Sequence, residues 1–189
     1  MFDHLAESCN VRVRAVHKST GQIVHERIGH NVWTNTGREY SCLLKTYRPD
    51  GVTPYRRDVI AYMGMGSGSQ PETINVDRVT DPIEFSPGTW LKPIAHARTV
   101  FRSVGAGVRT AVRYTCTYSE TDFILNNSGS ALISECGLFT DGAQDTFERG
   151  MRDTNINAGL AQAPVAYHSF DPIPKTSGIE LEIVWELRH

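Results

Sequence analysis

Long hydrophobic runs are missing from the 189-residue sequence. No apolar stretch reaches the roughly 20 residues a helix needs to span a bilayer, so no membrane partner is expected. The opening, MFDHLAESCNVRVRAVHK, has neither the basic start nor the apolar centre of a secretory signal, which points to synthesis in a cytoplasm. An excess of one charge is missing too. Lys and Arg number 19 against 21 Asp and Glu, a formal charge of −2, so no global basic field suggests direct nucleic-acid binding. None of Cys9, Cys42, Cys116 and Cys136 forms a C-x-x-C pair, which argues against zinc ribbons and thioredoxin-type redox sites. These cysteines are read as free buried thiols, except that Cys9, in an exposed N-terminal arm (1–9), is open to a disulfide between subunits. Neither H-E-x-x-H nor His-x-His occurs, and His17, His25 and His30 are read as surface or strand-face residues. No metal or other cofactor, and no small-molecule substrate, is expected.

Strand patterns dominate what is present. Residues 10–17 (NVRVRAVH) place Val11, Val13 and Ala15 on one face and Arg12 and Arg14 on the other. A turn at Ser19–Gln22 returns the chain through residues 23–28. Further strands are expected over 59–64, 94–102, 108–119, 131–140 and 160–170. Residues 171–175 (DPIPK) are expected to form a stiff link into a last strand. There Ile179, Leu181, Ile183, Trp185 and Leu187 alternate with Glu180, Glu182, Val184, Glu186 and Arg188. Pro82 and Pro87 predict irregular structure over 75–90. Thr36-Gly37-Arg38-Glu39 has the form of a capping box, and Tyr40, Leu43, Leu44 and Tyr47 follow at helical spacing up to Pro49-Asp50-Gly51. With no β-α-β alternation, the fold expected is a mainly β single domain. It is an antiparallel β-sandwich or flattened barrel of about eight strands with one short amphipathic helix. Residues 143–159 are read as a long loop or arm.

The stretch IAYMGMGSGSQPET (60–73) sets Gly64, Gly66 and Gly68 directly after a strand. A dinucleotide fingerprint needs G-x-G-x-x-G running into a helix, and a P-loop needs Gly-Lys-Ser/Thr. Neither follows, so the glycines are expected to form a flexible turn with positive φ. Ser67 and Ser69 lack a G-x-S-x-G elbow, and Cys136 sits in an apolar strand as a buried thiol. The row Glu180, Glu182, Glu186 offers a carboxylate pair, but a solvated edge or interface face is the better reading, since acid–base work needs a cleft and nothing in the sequence marks one. Arg98, Arg102, Arg109 and Arg113 make a cross-strand basic patch if their strands pair. With few aromatics beside it, that patch suits the glutamate face of a neighbouring subunit better than phosphates. No catalytic constellation emerges, and an enzyme is not expected.

Four segments carry a resemblance when taken in order: NVWTNTGREYSCLL (31–44), IAYMGMGSGSQPET (60–73), ISECGLF (133–139) and FDPIPKTSGIELEIVWEL (170–187). Together they resemble virion structural proteins of tailed bacteriophages, a family found among tail, fibre, collar and related accessory proteins. Its members show a T-N-x-G opening to a helix, a strand into G-x-G-[ST], an E-x-G-L-F strand, and a P-I-x-K link into a final strand containing Trp. The resemblance implies a non-enzymatic building block of the virion, in the neck or collar, tail or baseplate. Its partners would be other virion structural proteins and copies of itself. Candidate interface residues are Cys9 in the arm, Arg149 and Arg152 in the 143–159 loop, and Arg109, Arg113, Glu180 and Glu182 on strand faces. Two alternatives stay open. One is a capsid decoration protein of the same kind of particle; the other is a carbohydrate-binding receptor-recognition module, for which Trp33, Trp90 and Trp185 are the stacking candidates.

Overall fold

The computed structural model describes residues 10–44, 59–86, 88–101, 109–123, 130–140 and 163–188. Two five-stranded antiparallel sheets face each other. Their strands are β1 (Asn10–His17), β2 (Ile23–His30), β3 (Val32–Trp33), β4 (Ile60–Gly66), β5 (Leu91–Pro93), β6 (His96–Phe101), β7 (Arg109–Tyr118), β8 (Ser130–Thr140), β9 (Ala166–Thr176) and β10 (Ile179–Arg188). One helix, α1 (Asn35–Leu44), follows β3. The front sheet runs β2-β1-β10-β7-β6 and the back sheet β3-β9-β8-β4-β5, so the structure is a mainly β sandwich and not a closed barrel. Eight of the ten strands are long; β3 and β5 are pieces of two and three residues.

The core lies between the sheets and follows the period-2 pattern. Val11, Val13 and Ala15 of β1 meet Leu181, Ile183, Trp185 and Leu187 of β10 and Tyr114, Cys116 and Tyr118 of β7. Across from them stand Met63 and Met65 of β4, Ile133, Cys136 and Leu138 of β8, and Ala166 and Ile173 of β9. Tyr118 is fully buried, and its hydroxyl donates to Met63 O at 3.0 Å, which satisfies the one polar atom its ring carries inside. Tyr118 also stacks on Phe123, with centroids 5.0 Å apart. Cys116 and Cys136 are buried thiols in this core, and burial pushes Cys116 up to about 11; Cys42 is exposed.

Several boundaries differ from the sequence pattern. The expected 160–170 strand begins at Ala166 and runs on through Asp171-Pro172-Ile173-Pro174-Lys175, so the supposed link is itself β9. Ile133 pairs with Ile173 and Glu135 with Ser169, leaving a bulge around Phe170–Pro172. A bulge takes up residues that a regular ladder cannot pair, which is how proline persists there. The helix cap also lies elsewhere. Thr34, not Thr36, is the N-cap: its Oγ1 accepts the Gly37 N–H at 3.1 Å, and the Arg38 N–H donates to Thr34 O at 2.9 Å. Thr34 is fully buried and its hydroxyl donates to the carbonyl of Pro164, so the helix start is bonded to the segment leading into β9. Tyr47 and residues 49–51 lie outside the described residues, as do Arg102, the 1–9 arm and the 143–159 loop.

The largest difference concerns the glycines. Gly64 and Gly66 lie inside β4, Gly68 just after it, and all three are buried. Among the described glycines, those with positive φ are Gly21 and Gly88, so none of these three needs the left-handed region. What they supply is space. A Cβ on Gly64 would overlap the Trp90 ring, one on Gly66 would overlap Thr80 O and Glu135 Oε1, and one on Gly68 would overlap the Thr80 side chain. Gly137 of β8 sits opposite Gly64 and is crowded by Pro164 and Val79. Alternate glycines thus strip one face of the back sheet, and the irregular segment 67–90 lies down on it. Val79, Trp90, Leu91 and Phe139 form a second apolar cluster there, with Trp90 edge-on to Phe139 at 5.1 Å.

Candidate functional site: the outer face of the front sheet

The alternation that fills the core with apolar side chains puts the charged ones on the outside of the same sheet. The register aligns them in rows. One row is His30, Asn10, Glu186 and Arg113; the next is Ile28, Arg12, Val184 and Thr115; the third is Glu26, Arg14, Glu182 and Thr117. Between the rows lies a depression of about 490 Å³, lined by Arg12, Ile28, Arg113, Glu182, Val184 and Glu186 among others.

Arginine and glutamate side chains on this face pair within the chain. Arg113 Nη2 donates to Glu186 Oε2 at 3.0 Å, and Glu186 is nearly buried. Arg14 Nε donates to Glu26 at 2.7 Å, with Arg12 at 3.7 Å from the same carboxylate. Glu182 stands opposite Arg14 in the register. Cross-strand pairs of opposite charge each contribute about 0.2–1 kcal/mol, so these rows stabilise the sheet while leaving a patterned surface. Glu180 lies on the same face opposite Val16, two rungs beyond Glu182. The strands carrying Arg98, Arg109 and Arg113 do pair: Arg98 is opposite Arg113, and Arg109 is opposite Phe101. Of the expected interface residues, Arg113, Glu180 and Glu182 therefore share one face and Arg109 enters the same sheet. Cys9, Arg149 and Arg152 lie outside the described residues.

A second group of polar residues, which sequence patterns did not single out, fastens the 67–90 segment to the back sheet. Glu135 is fully buried, and its Oε2 accepts from the Tyr167 hydroxyl at 2.5 Å. Burial pushes this carboxyl above its usual value; Tyr167 and the amides of Thr80 and Gly68 pull the other way without cancelling it. The Ser134 hydroxyl donates to Gly68 O. Nearby, Glu72 Oε1 lies 2.7 Å from His168 Nδ1 and accepts the Ser169 N–H at 2.7 Å. Burial opposes the charge on Glu72, but these bonds outweigh it and hold the carboxyl below its usual value. The His168 ring lies over Gly29 of β2, where a Cβ would overlap it. Glu135 and Cys136 sit in ISECGLF, so the signal for this group was a charged residue inside an otherwise apolar strand, two positions before Gly137.

Among the described residues, no group of three His, Cys, Asp or Glu side chains is arranged to hold a metal ion. Trp90 and Trp185 are buried and Trp33 is partly buried against the core, so the three stacking candidates form no exposed aromatic platform. Comparison with family models, with curated proteins and with solved structures gives no match.

Proposed function

We propose that the chain is a non-enzymatic structural component of a tailed-bacteriophage particle, built into the neck or collar, tail or baseplate through protein–protein contacts. The observation that carries this reading is where the resembling motifs fall. Thr34-Asn35 of the T-N-x-G segment bonds to Pro164, Val165 and Ile74. Gly64 and Gly66 pair with Gly137 and Glu135 of the E-x-G-L-F strand, and Ile173 of the proline segment pairs with Ile133. The four motifs are packed against one another as the frame of the sandwich, so the resemblance falls on the residues that build the fold. The outer face of the front sheet, with its rows of opposite charge and a shallow depression, supplies a surface suited to docking on neighbours. The test is co-sedimentation. An antibody to the chain should detect it in density-banded particles from its source and keep detecting it after a high-salt wash. Its absence from washed particles would overturn the reading.

A further inference from the structure

β2 ends the front sheet, and among the described residues no strand lies on its far side. Two bonds fix which backbone groups point there. The His17 N–H donates to Gln22 O at 2.8 Å on the β2 side, and the Lys18 N–H donates to Gly178 O at 3.1 Å on the β10 side. Antiparallel alternation then gives the odd-numbered residues of β1 to β2 and the even-numbered ones to β10. Arg27 and Gly29, opposite Val13 and Val11, spend their backbone groups on β1. Glu26, Ile28 and His30 therefore point N–H and C=O away from the sheet. Among the described residues, no strand pairs with that side.

The register shifts at Val24, and from His25 to His30 the edge is regular; such an edge is a template for another strand unless something blunts it. The sequence of β2, IVHERIGH, contains neither proline nor lysine. Its inward charge, Arg27, lies 3.8 Å from Asp171 of its own chain. The strand also carries three of the six exposed large hydrophobic residues described: Ile23, Val24 and Ile28, the last 63% exposed.

We infer that β2 pairs antiparallel with β2 of a second copy of this chain, about a two-fold axis through Ile28. The inference rests on the assembly reading above and deepens it by naming a contact. A second copy is the occupant because the strand is complementary to itself in this register. Ile28 meets its counterpart on the axis, using the outward N–H and C=O of each. Glu26 faces His30, an acid against an imidazole, and Arg27 faces Gly29, a large side chain against none. An axis at Arg27 would oppose two guanidinium groups, and an axis at Glu26 two carboxylates. The Ile28 register joins two front sheets into one continuous sheet and places two depressions on the same face.

The test uses the full chain with Cys9→Ser and Cys42→Ser. Paired residues on such an axis have Cα atoms about 5.5 Å apart, within disulfide reach. Ile28→Cys should give a covalent dimer on mild oxidation, and Glu26→Cys, two rungs off the axis, should not. Ile28→Lys, at an exposed position, should fold normally and sediment as a monomer where the parent is a dimer. A monomeric parent at high concentration overturns the inference. So does an oligomer that Ile28→Lys leaves intact and Ile28→Cys fails to link. Particle co-sedimentation is read separately, so the contact can fail while the assembly reading stands, or both can fail together.

Discussion

At the scale of single residues, Gly66 and Glu135 define each other. The carboxylate oxygen lies against the glycine Cα, and Thr80 O closes the same space from the covering segment. Gly66→Ala forces backbone or a buried acid to move, and should cost about 1–3 kcal/mol in urea unfolding. Gly21→Ala is the informative contrast. Gly21 has φ +67° but nothing within 4 Å of a Cβ, so it should lose only the roughly 1 kcal/mol of a left-handed alanine. The two acids that fasten the cover, Glu135 of β8 and Glu72 of the covering segment, should respond to pH in opposite directions. Glu135 has a raised carboxyl, so the unfolded chain releases that proton at a lower pH than the folded one. Stability is therefore lost as pH rises from the unfolded value of about 4.3 through the folded one, and Glu135→Gln should remove that loss. Glu72 is held low, so its contribution is present above the unfolded value and lost as pH falls through the folded one. Glu72→Gln should be less stable than the parent at neutral pH and converge with it in acid. Denaturation midpoints across that range check both signs.

At the scale of elements, the helix start separates two readings of one sequence. Thr36-x-x-Glu39 has the capping-box form, yet Thr34 does the capping. Thr34→Ala should cost about 1–2 kcal/mol, since it strips the Gly37 N–H of its acceptor. Thr36→Ala, inside the helix, should be close to neutral. Circular dichroism with thermal melts distinguishes them. The reason the sequence misled is tertiary: Thr34 is chosen by the carbonyls of Pro164 and Val165, which are 130 residues away in the chain. The same holds for β9, where two prolines imply a link but a bulge accommodates them. Strands with clean alternation, β1, β7 and β10, were legible because one face must be apolar and the other charged. The glycine run was legible as glycine but not as purpose, since its partner, the 67–90 cover, has no periodicity to announce it. Of the candidate face, Arg113, Glu180 and Glu182 could be placed by parity. That Arg113 meets Glu186 of its own chain requires the strand order.

At the scale of the whole molecule, β10 is the middle of the front sheet. It joins β1, the first described strand, to β7, although the chain makes it after every other described element. Contacts of such long sequence separation slow folding, and the front sheet cannot close until residues 179–188 arrive. Removing 179–189 should split the front sheet into the pairs β2-β1 and β7-β6 and take Trp185 out of the core. The shortened chain should lose cooperative unfolding and be recovered insoluble, which expression and a urea titration would show. Folding that retained a sharp transition would contradict this central role.

The position of β10 beside β1 also bears on mechanical load. Asn10 lies opposite Glu186, so the outer ends of these two strands emerge together at one end of the sandwich. A pull applied across those two ends would peel the pair apart one rung after another, at low force. A pull entering at Asn10 and leaving through the turn at residues 177–178 would load all eight rungs in parallel, and the same bonds would resist as a group. Where a neighbour grips this sandwich therefore sets whether it behaves as a zipper or as a tie.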